Sequence, residues 1–197
     1  MADTRWRRLT AQETELARLV FSDGIDYGRV KIYRGMPLLP NLNVAVAPNG
    51  HIYFPRRNCP DDFTCTGTHY AVWLIHELTH VWQYQHGYRT WLGGLMLAVK
   101  GGYRQRCCYA YPPPVCIRSI ADLNMEQQAD LIAHYYAARF LKWPQYQADL
   151  PHFEAALSGF LANPHDITLL PKYRNGLSWF GWLKDVLAEL KNRWRKG

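Results

Sequence analysis

The stretch Thr68–Gly87, THYAVWLIHELTHVWQYQHG, decides how this chain is read. His76 and His80 stand four residues apart, with Glu77 beside the first. Residues four apart in an α-helix lie one turn apart on the same face. Two imidazoles so placed can reach one ion, while Glu77 can take a proton from a water activated there. The flanking Ala71, Val72, Leu74, Ile75, Leu78 and Val81 make the segment apolar almost all round, the pattern of a core helix. Two histidines and a glutamate inside such a helix would cost several kcal/mol unless paired or metal-bound. Thr68 is a good N-cap and Gly87 a good stop, so a helix is predicted from His69 to about His86.

Upstream, Thr10-Ala-Gln-Glu13 is a capping box that should open a helix reaching about Phe21, ended by Gly24. Arg29–Tyr33 alternates like a strand. Asn43–Ala47 and His51–Phe54 flank Pro48-Asn49-Gly50, a hairpin signal. Downstream, Trp91–Val99 reads as a short apolar helix and Gly101–Pro114 as irregular. A long helix is expected from about Ala121 to Leu141, with Pro144 beyond its end. Pro151–Leu161 reads as another helix, and Ser178 should cap a last amphipathic helix to about Trp194. The fold expected is α+β: one mainly helical domain over residues 1–197, with a small hairpin or sheet beside the HExxH helix. Residues 9–140 would form the core and 145–197 a helical extension.

Catalytic zinc needs a third protein ligand. Glu126, in the first turns of the predicted long helix, is one candidate, and His86 is the other. Six residues after His80 is where a ligand falls when HExxH continues as xxGxxH, but Gln83 fills the glycine slot. A helix that continues would turn His86 about 80° off the ligand face, which favours Glu126. Asp130 shares the face of Glu126 and could accept the outer N–H of His76 or His80. His134 continues that stripe and could hydrogen-bond substrate or transition state. Tyr109, Tyr111 and Tyr135 are further candidate donors to an oxyanion.

Nearly half the chain, 48%, is apolar, so a packed core is available and disorder is not expected. The net charge of +7 gathers largely near the two ends, as at Arg5, Arg7 and Arg8 and at Lys191, Arg193, Arg195 and Lys196. No basic motif interleaved with stacking aromatics stands out, so nucleic acid is not an expected partner. The longest apolar run falls short of the ~20 residues of a membrane span. Cys59, Cys65, Cys107, Cys108 and Cys116 form no paired zinc framework; one or two disulfides and five reduced thiols are both open readings. The start MADTRWRRLTAQETE lacks the apolar region of a secretory signal, so a protein made in the cytoplasm and exported by another route is expected.

HELTHVWQYQHG followed by MEQQADLI resembles the gluzincin branch of the zincins. More narrowly, LTAQETELARLVFSDGIDYGRVKIY, NVAVAPNGHIYF and HELTHVWQ are similar to the Vgr-related metallopeptidases associated with bacterial type VI secretion. The resemblance covers most of residues 9–140. It implies Zn2+ held by His76, His80 and Glu126, with Glu77 as base, and it makes Gly87–Ile120 an insertion relative to compact gluzincins. It implies a zincin-like peptidase delivered as an effector toxin to the envelope of a rival cell, acting in the periplasm. Such a toxin would need a secretion-spike carrier and a cognate immunity protein. It also implies an edge strand, Asn43–Ala47 or His51–Phe54, against which a protein or peptide substrate lies extended. Rival readings are a peptidoglycan peptidase or amidase, a non-catalytic zincin-like scaffold, and an envelope-binding module built on Trp179, Trp182 and Trp194 among basic residues.

Overall fold

The computed structural model describes residues 6–36, 44–99 and 107–172. The helix expected from Ser178, with its tryptophans, lies outside the described residues, as do Asn43 and most of the glycine- and arginine-rich stretch after Lys100.

Helix α1 spans Ala11–Phe21 and begins on the expected capping box between Thr10 and Glu13. Glu13 does more than cap. It is fully buried, and its carboxylate accepts from the Thr10 and Phe63 backbone N–H groups and from both terminal nitrogens of Arg7, at 2.7–2.9 Å. One side chain thereby ties α1 to the strand before it and to the loop around Phe63. Glu13→Ala would leave these donors without their acceptor in a dry site, at a cost on the order of 3 kcal/mol. A urea unfolding curve should show the midpoint falling with little change in slope.

Among the described residues the sheet has three short strands, β1 (Trp6–Arg7), β2 (Ile32–Arg34) and β3 (Ile52–Phe54). β1 pairs antiparallel with β2, and β2 pairs parallel with β3. β1 has no sequence signature, being two residues long. The strand expected over Arg29–Tyr33 starts later, because Tyr27–Arg29 closes into a 3₁₀ turn. Among the described residues the expected hairpin is a single antiparallel bridge, Val46 to Tyr53, closed by two backbone hydrogen bonds. Its turn does require glycine. Gly50 sits at φ 76°, and a Cβ there would come within 2.6 Å of the Tyr84 ring.

Helix α2 covers Thr68–Gln85. Its N-cap is Gly67 rather than Thr68, since Gly67 at φ 140° turns the chain into the helix and offers its carbonyl to Tyr70 and Ala71. The far end matches the expected stop. Gly87 takes φ 100°, and Tyr88 and Gly87 donate back to the Gln83 and Tyr84 carbonyls, a Schellman closure. α3 (Thr90–Val99) follows. α4 runs Met125–Arg139, starting four residues later than expected. Ile120–Asp122 is spent on a 3₁₀ turn, and Asn124 then caps the helix reciprocally with Gln127. A short α5 (Pro144–Gln147) leads to α6 (Leu150–Ala162).

α4 packs along α2, and the small sheet lies beside α2, where Phe54 meets Trp73 edge to face at 4.9 Å. α6 closes the other side. Phe160 packs against Phe21 and Trp82, and the Trp82 indole donates to the Pro164 carbonyl. The fold is therefore mainly helical α+β, and residues 150–162 belong to the same core as α1 and α2. Cys59, Cys65, Cys108 and Cys116 stand as free thiols, with Cys59 and Cys108 buried. Among the described residues, no helix is long and apolar enough to cross a membrane.

Candidate metal centre

α2 and α4 bring His76, His80 and Glu126 together. One ligand atom from each lies within 4.8 Å of the others, and Glu126 Oε2 is 3.3 Å from both His76 Nε2 and His80 Nε2. Donors each ~2.0–2.1 Å from a tetrahedral zinc would stand about 3.3–3.4 Å apart. His80 and Glu126 are buried and His76 nearly so.

The outer edges of both rings are held. His76 Nδ1 donates to Asp130 Oδ1 at 2.8 Å. His80 Nδ1 lies 2.9 Å from Gln83 Oε1. The Gln83 amide has only one workable orientation, because its Nε2 donates to the Met125 carbonyl and to Gln128 Oε1. Gln83 Oε1 must therefore accept from His80, so His80 carries its proton on Nδ1 and presents Nε2 inward. Gln128 in turn donates to the Ile120 and Leu169 carbonyls, which anchors this amide chain in the 3₁₀ turns Ile120–Asp122 and Ile167–Leu169. Partners of this kind fix tautomer and ring orientation in zinc sites. Asp130→Ala and Gln83→Ala should each weaken zinc binding about 10–100-fold, measured by competition against a chromogenic chelator.

Electrostatics follow the same geometry. Burial works to raise the Glu126 carboxyl, but His80 and His76 outweigh it and hold the group well below the usual carboxylate range. Glu77 is different. Burial pushes its carboxyl up against the opposing pull of His76 and His80, and its Oε2 is buried with no hydrogen-bond partner among the described residues. A carboxylate oxygen left bare in a dry site is costly. Two inward imidazole nitrogens, a charged carboxylate and this spare oxygen fit a zinc ion.

The centre opens into a cleft of about 1090 Å³. The segment Val44–Pro48 and helix α3, through Trp91, Leu95 and Ala98, both line it, and Thr90 at the start of α3 donates to the Ala47 carbonyl. Val44, Trp91 and Leu95 are exposed large apolar side chains. The stretch read as an insertion therefore builds a cleft wall, for which an apolar helix gives no sequence signal.

The remaining candidates separate cleanly. Tyr109 and His134 line the cleft, and the Tyr109 ring lies 6.3 Å from that of His76. Tyr111 hydrogen-bonds His134, and Tyr135 is buried beside Phe140. His86 is not part of the cluster: its Nδ1 faces the Trp82 carbonyl at 3.0 Å, and its ring sits beside Trp82 and His165. Sequence reasoning missed Gln83 as a partner of His80. The signal was present, since residues three apart on a helix are neighbours.

The fold and cluster define an α+β protein whose central helix pair could hold a metal ion through two histidines and a glutamate. No family model matches the chain. A solved structure, the effector domain of Pseudomonas aeruginosa VgrG2b, aligns at 32% identity and TM-score 0.60, over 78% of this chain and 81% of that one. The chain belongs to the family of that effector domain. It is also 34% identical over 134 residues to the type VI secretion system spike protein VgrG2b of the same organism, which covers 66% of this chain but only 13% of the spike protein.

Proposed function

We propose that this chain is a zinc-dependent peptidase and the toxic domain of a type VI secretion effector, acting in the periplasm of a target bacterium. One observation carries the enzymatic part. Three ligand atoms converge within 4.8 Å of one another, and Glu77, next to His76 in the chain, has a buried oxygen without a hydrogen-bond partner among the described residues. Membership in the family of a spike protein's effector domain supports the delivery part. A spike carrier and an immunity protein are the partners this reading implies.

Zinc, when bound, supplies Lewis-acid activation of a water molecule and of the scissile carbonyl. His76, His80 and Glu126 would hold it. Glu77, its carboxyl raised by burial, takes the proton from the attacking water and later delivers it to the leaving amine. Asp130 and Gln83 keep both imidazoles turned inward throughout. Val44–Ala47, paired to β3 only through Val46, lines the cleft as an edge along which an extended chain can add main-chain hydrogen bonds.

The apolar walls favour a protein substrate over peptidoglycan. Val44, Trp91 and Leu95 offer surface to large apolar side chains, whereas a sugar-peptide wall polymer could stack on Trp91 but would leave Val44 and Leu95 unmatched. Incubation of zinc-loaded protein with unfolded casein and, separately, with purified peptidoglycan sacculi tests this. Release of casein peptides with intact sacculi is the expected result. Solubilised sacculi with intact casein would overturn the assignment of substrate.

A further inference from the structure

His134 sits on α4 two turns beyond Glu126 and lines the cleft, yet its ring is gripped from outside the helix. The Tyr111 hydroxyl lies 2.6 Å from His134 Nδ1, and the Tyr146 ring stacks on the imidazole at 4.2 Å between centroids. The segment that brings Tyr111 there is stiff. Tyr111 precedes Pro112-Pro113-Pro114, and a residue before proline is confined to extended backbone while each proline fixes its own φ. The same segment is pinned to the start of α4. Asn124 donates to the Cys108 carbonyl at 3.1 Å, and Gln127 donates to the Ala110 carbonyl at 2.6 Å.

The direction of the Tyr111–His134 hydrogen bond decides what His134 can do. Burial pushes the Tyr111 phenol above its ordinary range, so it keeps its proton, and burial lowers the His134 imidazole, so the ring is neutral near pH 7. A neutral imidazole has one donor nitrogen and one acceptor nitrogen. If the phenol donates to Nδ1, the ring proton must be on Nε2.

We propose that Tyr111 is a positioning residue: its hydroxyl, held by the proline segment, fixes His134 as a neutral Nε2–H donor facing the cleft. The donor would then serve a substrate carbonyl oxygen as charge builds on it. That last clause rests on the peptidase reading; the tautomer and its cause do not.

The test is ¹⁵N NMR of histidine-labelled, zinc-loaded protein near neutral pH, with His134 assigned by its loss in His134→Gln. The wild type should show Nδ1 unprotonated, shifted by an accepted hydrogen bond, and Nε2 protonated and exchanging with water. In Tyr111→Phe the Nδ1 resonance should move toward that of a free imidazole, and an Nδ1–H form should appear. Zinc content should be unchanged, since Tyr111 touches no ligand of the ion. A proton on Nδ1 in the wild type would overturn the inference. So would an Nε2–H protected from exchange, or an Nδ1 shift indifferent to Tyr111→Phe. Should that variant not fold, the wild-type spectrum decides alone by which nitrogen bears the proton. A protein that shows this tautomer but cleaves no peptide would sink the peptidase reading and leave this inference standing.

Discussion

Purified His76→Ala, His80→Ala and Glu126→Ala proteins should contain essentially no zinc, against about one ion per chain in the wild type. Each substitution removes one of three ligand atoms gathered between α2 and α4. Two remaining protein donors cannot hold zinc against water with useful affinity, because binding free energy at such sites is shared among few strong bonds. The loss should be seen by elemental analysis after gel filtration. It should also appear as a fall in thermal midpoint, since an ion that binds only the folded state stabilises it by mass action. His86→Ala should keep its zinc. The ring is engaged by the Trp82 carbonyl and by its aromatic neighbours, away from the cluster. Retention of a full ion in the His76, His80 double variant would remove the site, and loss of zinc from His86→Ala alone would mean that α2 ends differently from the structure described.

Glu77→Gln should fold, keep its zinc and lose hydrolysis. The amide matches the carboxylate in shape but cannot take a proton, and loss of a positioned general base typically costs ~10²–10⁴-fold in rate. Stability should stay level or rise. The variant replaces a buried carboxyl whose charged form burial disfavours with a neutral group of the same shape. The biological readout follows. Wild type directed to the bacterial periplasm should be toxic, and less so in the cytoplasm, while Glu77→Gln should be harmless in both. A non-catalytic scaffold would behave oppositely, with the variant as active as wild type in every assay. A zinc-loaded Glu77→Gln protein of undiminished toxicity would end the enzymatic proposal.

Several features of this chain could be read locally. The capping box at Thr10 and the α2 stop at Gly87 are encoded within a few residues, because caps are local hydrogen-bond problems. The spacing of His76 and His80 is likewise a property of one helix. The α4 boundary was less legible, since the competing 3₁₀ turn at Ile120 and the Asn124 cap divide a stretch that reads as continuous helix. The strands were least legible. β1 is two residues long and exists through its pairing with β2, a contact no local pattern announces.

By itself, then, the sequence determined the class: a helical α+β chain with a buried helix carrying HExxH, for periodicity and capping act over one or two turns. The tertiary structure decided the rest. It set Glu126 Oε2 at 3.3 Å from both imidazoles, gave Asp130 to His76, and placed α3 as a cleft wall. It also brought Tyr111 to His134. These pairings join residues far apart in the chain, and which of several polar residues on a helix face meets a partner depends on the rotation and depth at which two helices pack. That is set by the apolar side chains of the whole core together, and no segment carries it alone.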